Sequence, residues 1–246
     1  REASLTEKPV LAVDEPAARP QSPPPVPGVV ATGDEDVDCE KAKCIALTFD
    51  DGPAETTPHL LDLLAEEEVT VSFFLNGNPT LTRPSVLRRA YAEGHEIASH
   101  NDLHEHMPEY FSEEELVGQV AAVSAMVRRQ TGHTVELFRP PFGDSSPAVL
   151  KEIGRQDMAE ILWSQDSQDW TGLNRDEIVK SVVEEAEPGA VVLLHDTLAP
   201  TLAATPEIIE RLREEGYEFV TVSRIYDDLE AGKSYPPEGL SDPAQA

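Results

Sequence analysis

Two adjacent carboxylates, Asp50 and Asp51, stand where the apolar run Cys44-Ile45-Ala46-Leu47 breaks into Gly52-Pro53. Inside a strand neighbouring side chains point to opposite faces, but past its end the backbone bends and both acids can converge on one site. Such a site can give one carboxylate to a cation and keep the other as a base. His100 and His104 follow a later apolar run, and two imidazoles at that spacing can reach one cation from a helical turn or a compact loop. With Asp51 they form a His₂–carboxylate set, which leaves a coordination position for water or substrate. His106 is a competing ligand whose two-residue offset from His104 fits less well, and His59, His95 and His133 read as structural or solvated.

Three further clusters carry chemistry. In Arg139-Pro140-Pro141-Phe142-Gly143 the prolines fix the backbone and lack N–H groups. The Phe142 amide is then the first free donor for a developing oxyanion, and Arg139 can hold a nearby carboxylate ionised. Asp166-Ser167-Gln168-Asp169-Trp170 offers an indole for stacking on a sugar ring, and Val191-Val192-Leu193-Leu194-His195-Asp196 closes a strand on a histidine. Beside a carboxylate such as Asp166 that histidine would be held protonated as a general acid. Each cluster alone has an ordinary explanation: surface histidines, a proline turn with an ion pair, a core tryptophan, a satisfied histidine.

The elements that must position them alternate. Strand runs are expected near 44–49, 71–75, 95–98, 135–138, 159–163, 190–194 and 218–222. Helix starts are expected at Thr57-Pro58, at the capping boxes Ser112/Glu115 and Asn174/Glu177, and at Thr205-Pro206, with stops at Gly132 and near Gly216. Alternation of this kind implies a parallel α/β fold, whose natural closure is a barrel with its site at the C-terminal strand ends. Every cluster falls there.

The chain has 246 residues, with 19 basic against 47 acidic side chains and a formal net charge of −28. That excess argues against nucleic acid, whose affinity comes from neutralising phosphates, and against anionic membrane surfaces. No run is long enough for a membrane span. Residues 1–40, with Pro20 and Pro23-Pro24-Pro25-Val26-Pro27, are expected to be a disordered proline-rich linker, and 230–246 a disordered tail, flanking one catalytic domain at 41–229. Cys39 and Cys44 are too few for structural zinc and are expected to form a local disulfide, which implies an oxidising compartment. The chain opens with Arg, consistent with a removed leader and a secreted or cell-surface protein.

Taken together and in this order, the five clusters make the chain resemble the polysaccharide deacetylase family (carbohydrate esterase family 4, the NodB-homology domains) over roughly residues 44–226. The resemblance implies a distorted (β/α)7 barrel. From TFDDG at residues 48–52 it implies Asp50 as catalytic base and Asp51 as metal ligand. From H-[ST]-x-x-H it implies His100 and His104 as the other ligands, and from R-x-P-[YF] it matches Arg139, Pro141 and Phe142, with Arg139 orienting Asp50. From D-x-x-D-W it matches Asp166, Asp169 and Trp170, with Asp166 tuning the acid and Trp170 at the substrate. From L-x-H-D it implies His195 as the acid and Leu193 lining the acetyl pocket. Asn101 departs from the usual Ser or Thr, and Glu105-His106-Met107 stands where the family often has His-Pro.

The implied reaction is hydrolysis of N-acetyl groups on β-1,4-linked N-acetylglucosamine polymers, chitin, chitooligosaccharides or peptidoglycan, by a monomer using one divalent metal. Zinc is expected, with Co²⁺ or Ni²⁺ as substitutes. The rivals are an acetylxylan O-acetyl esterase with the same site, a glycosidase built on two carboxylates, and a non-catalytic carbohydrate-binding module.

Overall fold

A computed structural model describes residues 34, 37–107 and 112–236. Its elements run β1 (Lys43–Asp50), α1 (Thr57–Glu66), β2 (Ser72–Leu75), α2 (Gly77–Thr82), α3 (Pro84–Ala92), β3 (Glu96–Ser99), α4 (Glu113–Thr131), β4 (Leu137–Phe138), α5 (Pro147–Arg155), β5 (Ala159–Ile161), β6 (Gln165–Asp166), α6 (Arg175–Glu184), β7 (Ala190–His195), α7 (Ala199–Glu214), β8 (Tyr217–Phe219), α8 (Val222–Ile225) and β9 (Ser234–Tyr235). The strands form one parallel sheet in the order β6-β7-β1-β2-β3-β4-β5-β9, with β8 paired to the first residues of β1. The sheet curls into a distorted β/α barrel, and β6 and β9 do not pair among the described residues. Each of the seven expected runs carries a strand, and β6 and β9 are additional.

The central strand β1 is buried from Cys44 to Asp50, as expected for a parallel strand covered on both faces. Alternation sorts its side chains. Ile45, Leu47 and Phe49 join the core formed with the helices, including Leu60, Leu61 and Leu64 of α1. Ala46 faces a second core with Phe74, Ala98, Leu137, Ala159, Ile161 and Val191. Thr48 and Asp50 share the face of Ala46, so the strand's own period aims Asp50 at the barrel interior.

Local signals behave as chemistry dictates at α4 and α6. Both capping boxes form, Ser112 with Glu115 and Asn174 with Glu177, and Gly132 ends α4 at φ 80°. Two helix starts are corrected. Thr56 is the N-cap position of α1, because the Thr57 hydroxyl accepts from the Ala54 N–H at 2.6 Å and donates to Asp196. The last long helix starts at Ala199, with Pro200 in its first turn, and runs through Pro206. Packing of Ala204, Ile208, Ile209 and Leu212 holds it across that proline.

The domain limits also need correction. The C-terminal tail does not begin at 230, because β9 pairs with β5 in the register Glu160↔Ser234 and Ile161↔Tyr235. Ahead of residue 41, buried Asp34 accepts from the N–H and hydroxyl of Thr221 at 2.7 and 2.9 Å. Arg224 Nε donates to the Val37 carbonyl at 2.7 Å. The Cys39–Cys44 disulfide ties this segment to β1. The remainder of the expected linker and tail lies outside the described residues. No described helix is long and apolar enough to cross a membrane.

Candidate active site

The clusters meet above the C-terminal ends of the strands, around a cavity of about 440 Å³ that includes Asp50, Asp51, His100, His104, Leu193 and His195 in its walls. Its size is that of an ordinary small-ligand site. Parallel pairing sets two reactive groups side by side, since Asp50 at the end of β1 is in register with His195 at the end of β7.

Arg139 is the largest fully buried side chain, and each nitrogen of its fork has a partner. It donates to Asp50 Oδ1 at 2.7 Å, to the Thr48 hydroxyl at 2.8 Å, and to the carbonyls of Ile161 and Leu162 at 3.1 Å each. The guanidinium also lies 3.9 Å from the centre of the Phe74 ring. Burial alone would make Asp50 and Arg139 costly, and pairing them is what makes both tolerable as ions.

Asp51, His100 and His104 offer ligand atoms all within 4.8 Å of one another. The surroundings act differently on the two histidines: burial pulls His104 down, but the Asp51 hydrogen bond and charge outweigh it and raise its pKa above the ordinary value, so a cation would have to displace that proton. His100 is buried, and burial lowers its pKa below the ordinary value, which favours the neutral ring a metal requires. Its Nδ1 lies 2.8 Å from the Arg139 carbonyl. A carbonyl can only accept, so Nδ1 carries the proton and Nε2, 3.6 Å from both Asp51 Oδ1 and Asp50 Oδ2, keeps its lone pair for a cation. His104 Nε2 is 3.1 Å from the same Asp51 oxygen. Burial pushes the Asp51 carboxyl up, but the His104 hydrogen bond and the charges of the neighbouring histidines outweigh it and hold the group well below the usual carboxylate range. A hard or borderline divalent ion fits this donor set.

The backbone is bent to gather these groups. Asp51, Asn101, His104 and Phe142 all occupy the left-handed region, at φ 75°, 65°, 55° and 61°. Such conformations persist where the surroundings over-determine them. Asn101 tolerates this region better than the Ser or Thr it replaces, and its Oδ1 accepts from the His104 N–H at 2.6 Å. The departure from the usual motif thus closes the loop between the two histidines.

Asp169, not Asp166, pairs with His195. Asp169 Oδ1 lies 2.7 Å from His195 Nδ1, while Oδ2 accepts from the His195 backbone N–H at 2.8 Å and from the Thr201 hydroxyl at 2.7 Å. Burial pulls His195 down, but the Asp169 hydrogen bond and charge, with Asp50 and Asp51 behind them, raise its pKa to about 9. Asp166 accepts from the Gln168 N–H at 2.7 Å and from the Trp170 indole at 3.3 Å, so it fixes the tryptophan instead. The left-handed Gln168 and the short 3₁₀ turn at Asp169–Thr171 fold the chain back, which brings the second acid of the motif under the histidine. Trp170 is 55 % exposed at the cavity edge.

His106 stays outside the Asp51/His100/His104 group. Its Nδ1 pairs with Asp144 at 3.0 Å and its ring stacks on Phe142. His95 is structural, accepting from the Val71 N–H and lowered by burial to about 4. Asn76, which carried no sequence signal of its own, donates to Asp51 Oδ1 at 3.3 Å.

Comparison with known proteins agrees with this geometry. Residues 38–161 match the polysaccharide deacetylase family. The peptidoglycan-N-acetylglucosamine deacetylase PgdA of Listeria monocytogenes is 37 % identical over 195 residues, 78 % of this chain and 41 % of its own length. A chitooligosaccharide deacetylase of Bradyrhizobium is 32 % identical over 208 residues, 77 % of this chain and 93 % of its own. A solved structure described as T48 deacetylase with substrate superposes with a TM-score of 0.77 at 33 % identity, covering 81 % of this chain and 99 % of that one. The chain spans about two fifths of the length of the Listeria relative.

Proposed function

This chain belongs to the polysaccharide deacetylase family, and on that premise we propose that it hydrolyses N-acetyl groups of β-1,4-linked N-acetylglucosamine polymers, releasing acetate and leaving a free amine. The observation that carries the reading is the placement of two separately held groups, Asp50 on Arg139 and His195 on Asp169, in the walls of the same cavity as one Asp/His/His cluster.

Asp51, His100 and His104 would hold a divalent cation, zinc in our reading with cobalt or nickel able to replace it, which would supply Lewis acidity at the site. Asp50, held in place by Arg139, takes a proton from the attacking water. The Phe142 N–H, which has no paired acceptor among the described residues, donates to the oxygen as it gains negative charge. His195, protonated on Asp169, gives its proton to the departing nitrogen as the C–N bond breaks. Leu193 borders the acetyl group and Trp170 the sugar ring, whereas Pro141, expected beside them, is buried outside the cavity wall.

The named relatives act on peptidoglycan and on chitooligosaccharides. We take this polymer class as substrate and place the action outside the cytoplasm, which the Cys39–Cys44 disulfide also favours. Rates on chitopentaose, peptidoglycan and acetylxylan measured side by side test the choice. Faster acetate release from acetylxylan would replace the N-deacetylase reading with that of an O-acetyl esterase, and chain shortening without acetate release would replace both with a glycosidase.

A further inference from the structure

Phe142 combines three features rarely found together. It is a bulky residue in the left-handed region, at φ 61°, where side chains of its size are outliers. Its ring is 39 % exposed, so burial does not hold it. Its backbone N–H is the donor assigned above to the developing oxyanion, and such a donor is effective only when its direction is fixed before reaction.

The ring is held by two histidines from the loop across the cavity. His104 meets it edge-on with centroids 4.7 Å apart. His106 lies flat against it, with centroids 4.1 Å apart and planes 18° from parallel. The His106 ring is in turn fixed from the Phe142 side, by Asp144 Oδ2 at 3.0 Å from Nδ1. Asp144 stands two residues beyond Phe142, so the chain Phe142–His106–Asp144 closes on itself and ties the two loops together. Without it, Phe142 is held by His104 and by the turn bonds Gly143 N–H to Pro140 and Asp144 N–H to Pro141, at 3.1 and 3.0 Å.

We infer that His106, anchored by Asp144, is a positioning residue that clamps the Phe142 ring and thereby aims the Phe142 amide into the site. It neither ligates the cation nor touches the reacting atoms. The inference rests on the role given to the Phe142 amide, and its geometric half stands without it.

Two readouts separate these halves. The first is steady-state kinetics with metal content for wild type, His106→Ala, His106→Phe and Asp144→Ala. The expected result is a fall in kcat of about tenfold to a hundredfold in His106→Ala, with KM and metal content unchanged. His106→Phe keeps the stack and should restore kcat, and Asp144→Ala should follow His106→Ala. The second is the amide spectrum of protein labelled with ¹⁵N-phenylalanine, in which the Phe142 peak is the one lost in Phe142→Leu. That peak should move in His106→Ala and return in His106→Phe, whether or not any tested polymer is a substrate. An unmoved peak overturns the clamp. A moved peak with unchanged kcat overturns the link to the amide's catalytic role, and so does a loss confined to KM or to metal content.

Discussion

Asp50 and His195 stand opposite one another in the register of β1 and β7, yet each is held from a different direction. Arg139 reaches Asp50 from the end of β4, and Asp169 reaches His195 from the turn after β6. The sheet therefore sets the spacing between the proposed base and acid, while separate loops hold each in place. Replacing Asp50 by Asn keeps its shape and removes its basicity. We expect kcat/KM to fall by about 10²–10⁴-fold, with circular dichroism and metal content unchanged. Activity within a few-fold of wild type in Asp50→Asn would sink the base assignment.

The pairing of His195 with Asp169 predicts the alkaline limb of the pH profile. A general acid works while protonated, so activity should persist through neutrality and fall as pH rises through about 9. Asp169→Asn removes the charge that raises His195 and should move that limb towards lower pH, whereas Asp166→Asn should leave it in place and act through Trp170. The same shift enters stability. His195 binds its proton more tightly folded than unfolded, so its contribution is complete below about pH 6.5 and is lost as pH rises through about 9. Rate profiles of the two variants between pH 6 and 11 check the point.

Arg139 has a structural consequence that is separable from catalysis. Arg139→Met leaves the Asp50 carboxylate, 2 % exposed, without its counter-charge. Breaking a buried pair from one side costs about 3–5 kcal/mol, so the denaturant midpoint should fall by that equivalent. The double variant Arg139→Met/Asp50→Leu should recover most of it. A single variant as stable as wild type would contradict the pairing.

Binding of a cation to Asp51, His100 and His104 should stabilise the fold by mass action, about 2.7 kcal/mol at a hundredfold excess over Kd. Chelation should lower Tm, and added zinc, cobalt or nickel should restore it. His100→Ala should abolish that response, and His106→Ala should not.

How much of this was legible in the sequence follows from the range of each interaction. The buried strands, both capping boxes and the five strand-end clusters depend on contiguous residues, and they were readable. The motif alone points to Asp166, because the choice of Asp169 depends on a left-handed turn at Gln168, which no periodicity signals. Thr205-Pro206 has the pattern of a helix start, but the helix begins at Ala199 behind Leu198, which carries no capping side chain to signal it. Asn76 lay outside every motif, since its bond to Asp51 spans 25 residues. The strand at Ser234–Tyr235 was read as tail because two residues carry no pattern, and only the exposed edge of β5 recruits them.

The central claim is that this cavity hydrolyses N-acetyl groups with metal assistance. Acetate release from chitopentaose and from peptidoglycan, measured before and after chelation and after adding back zinc, cobalt or nickel, tests it most directly. The account predicts release that chelation abolishes and metal restores, with products lighter by one acetyl group for each acetate released. Release that chelation leaves intact, or none from either polymer with any of the three metals, would contradict it.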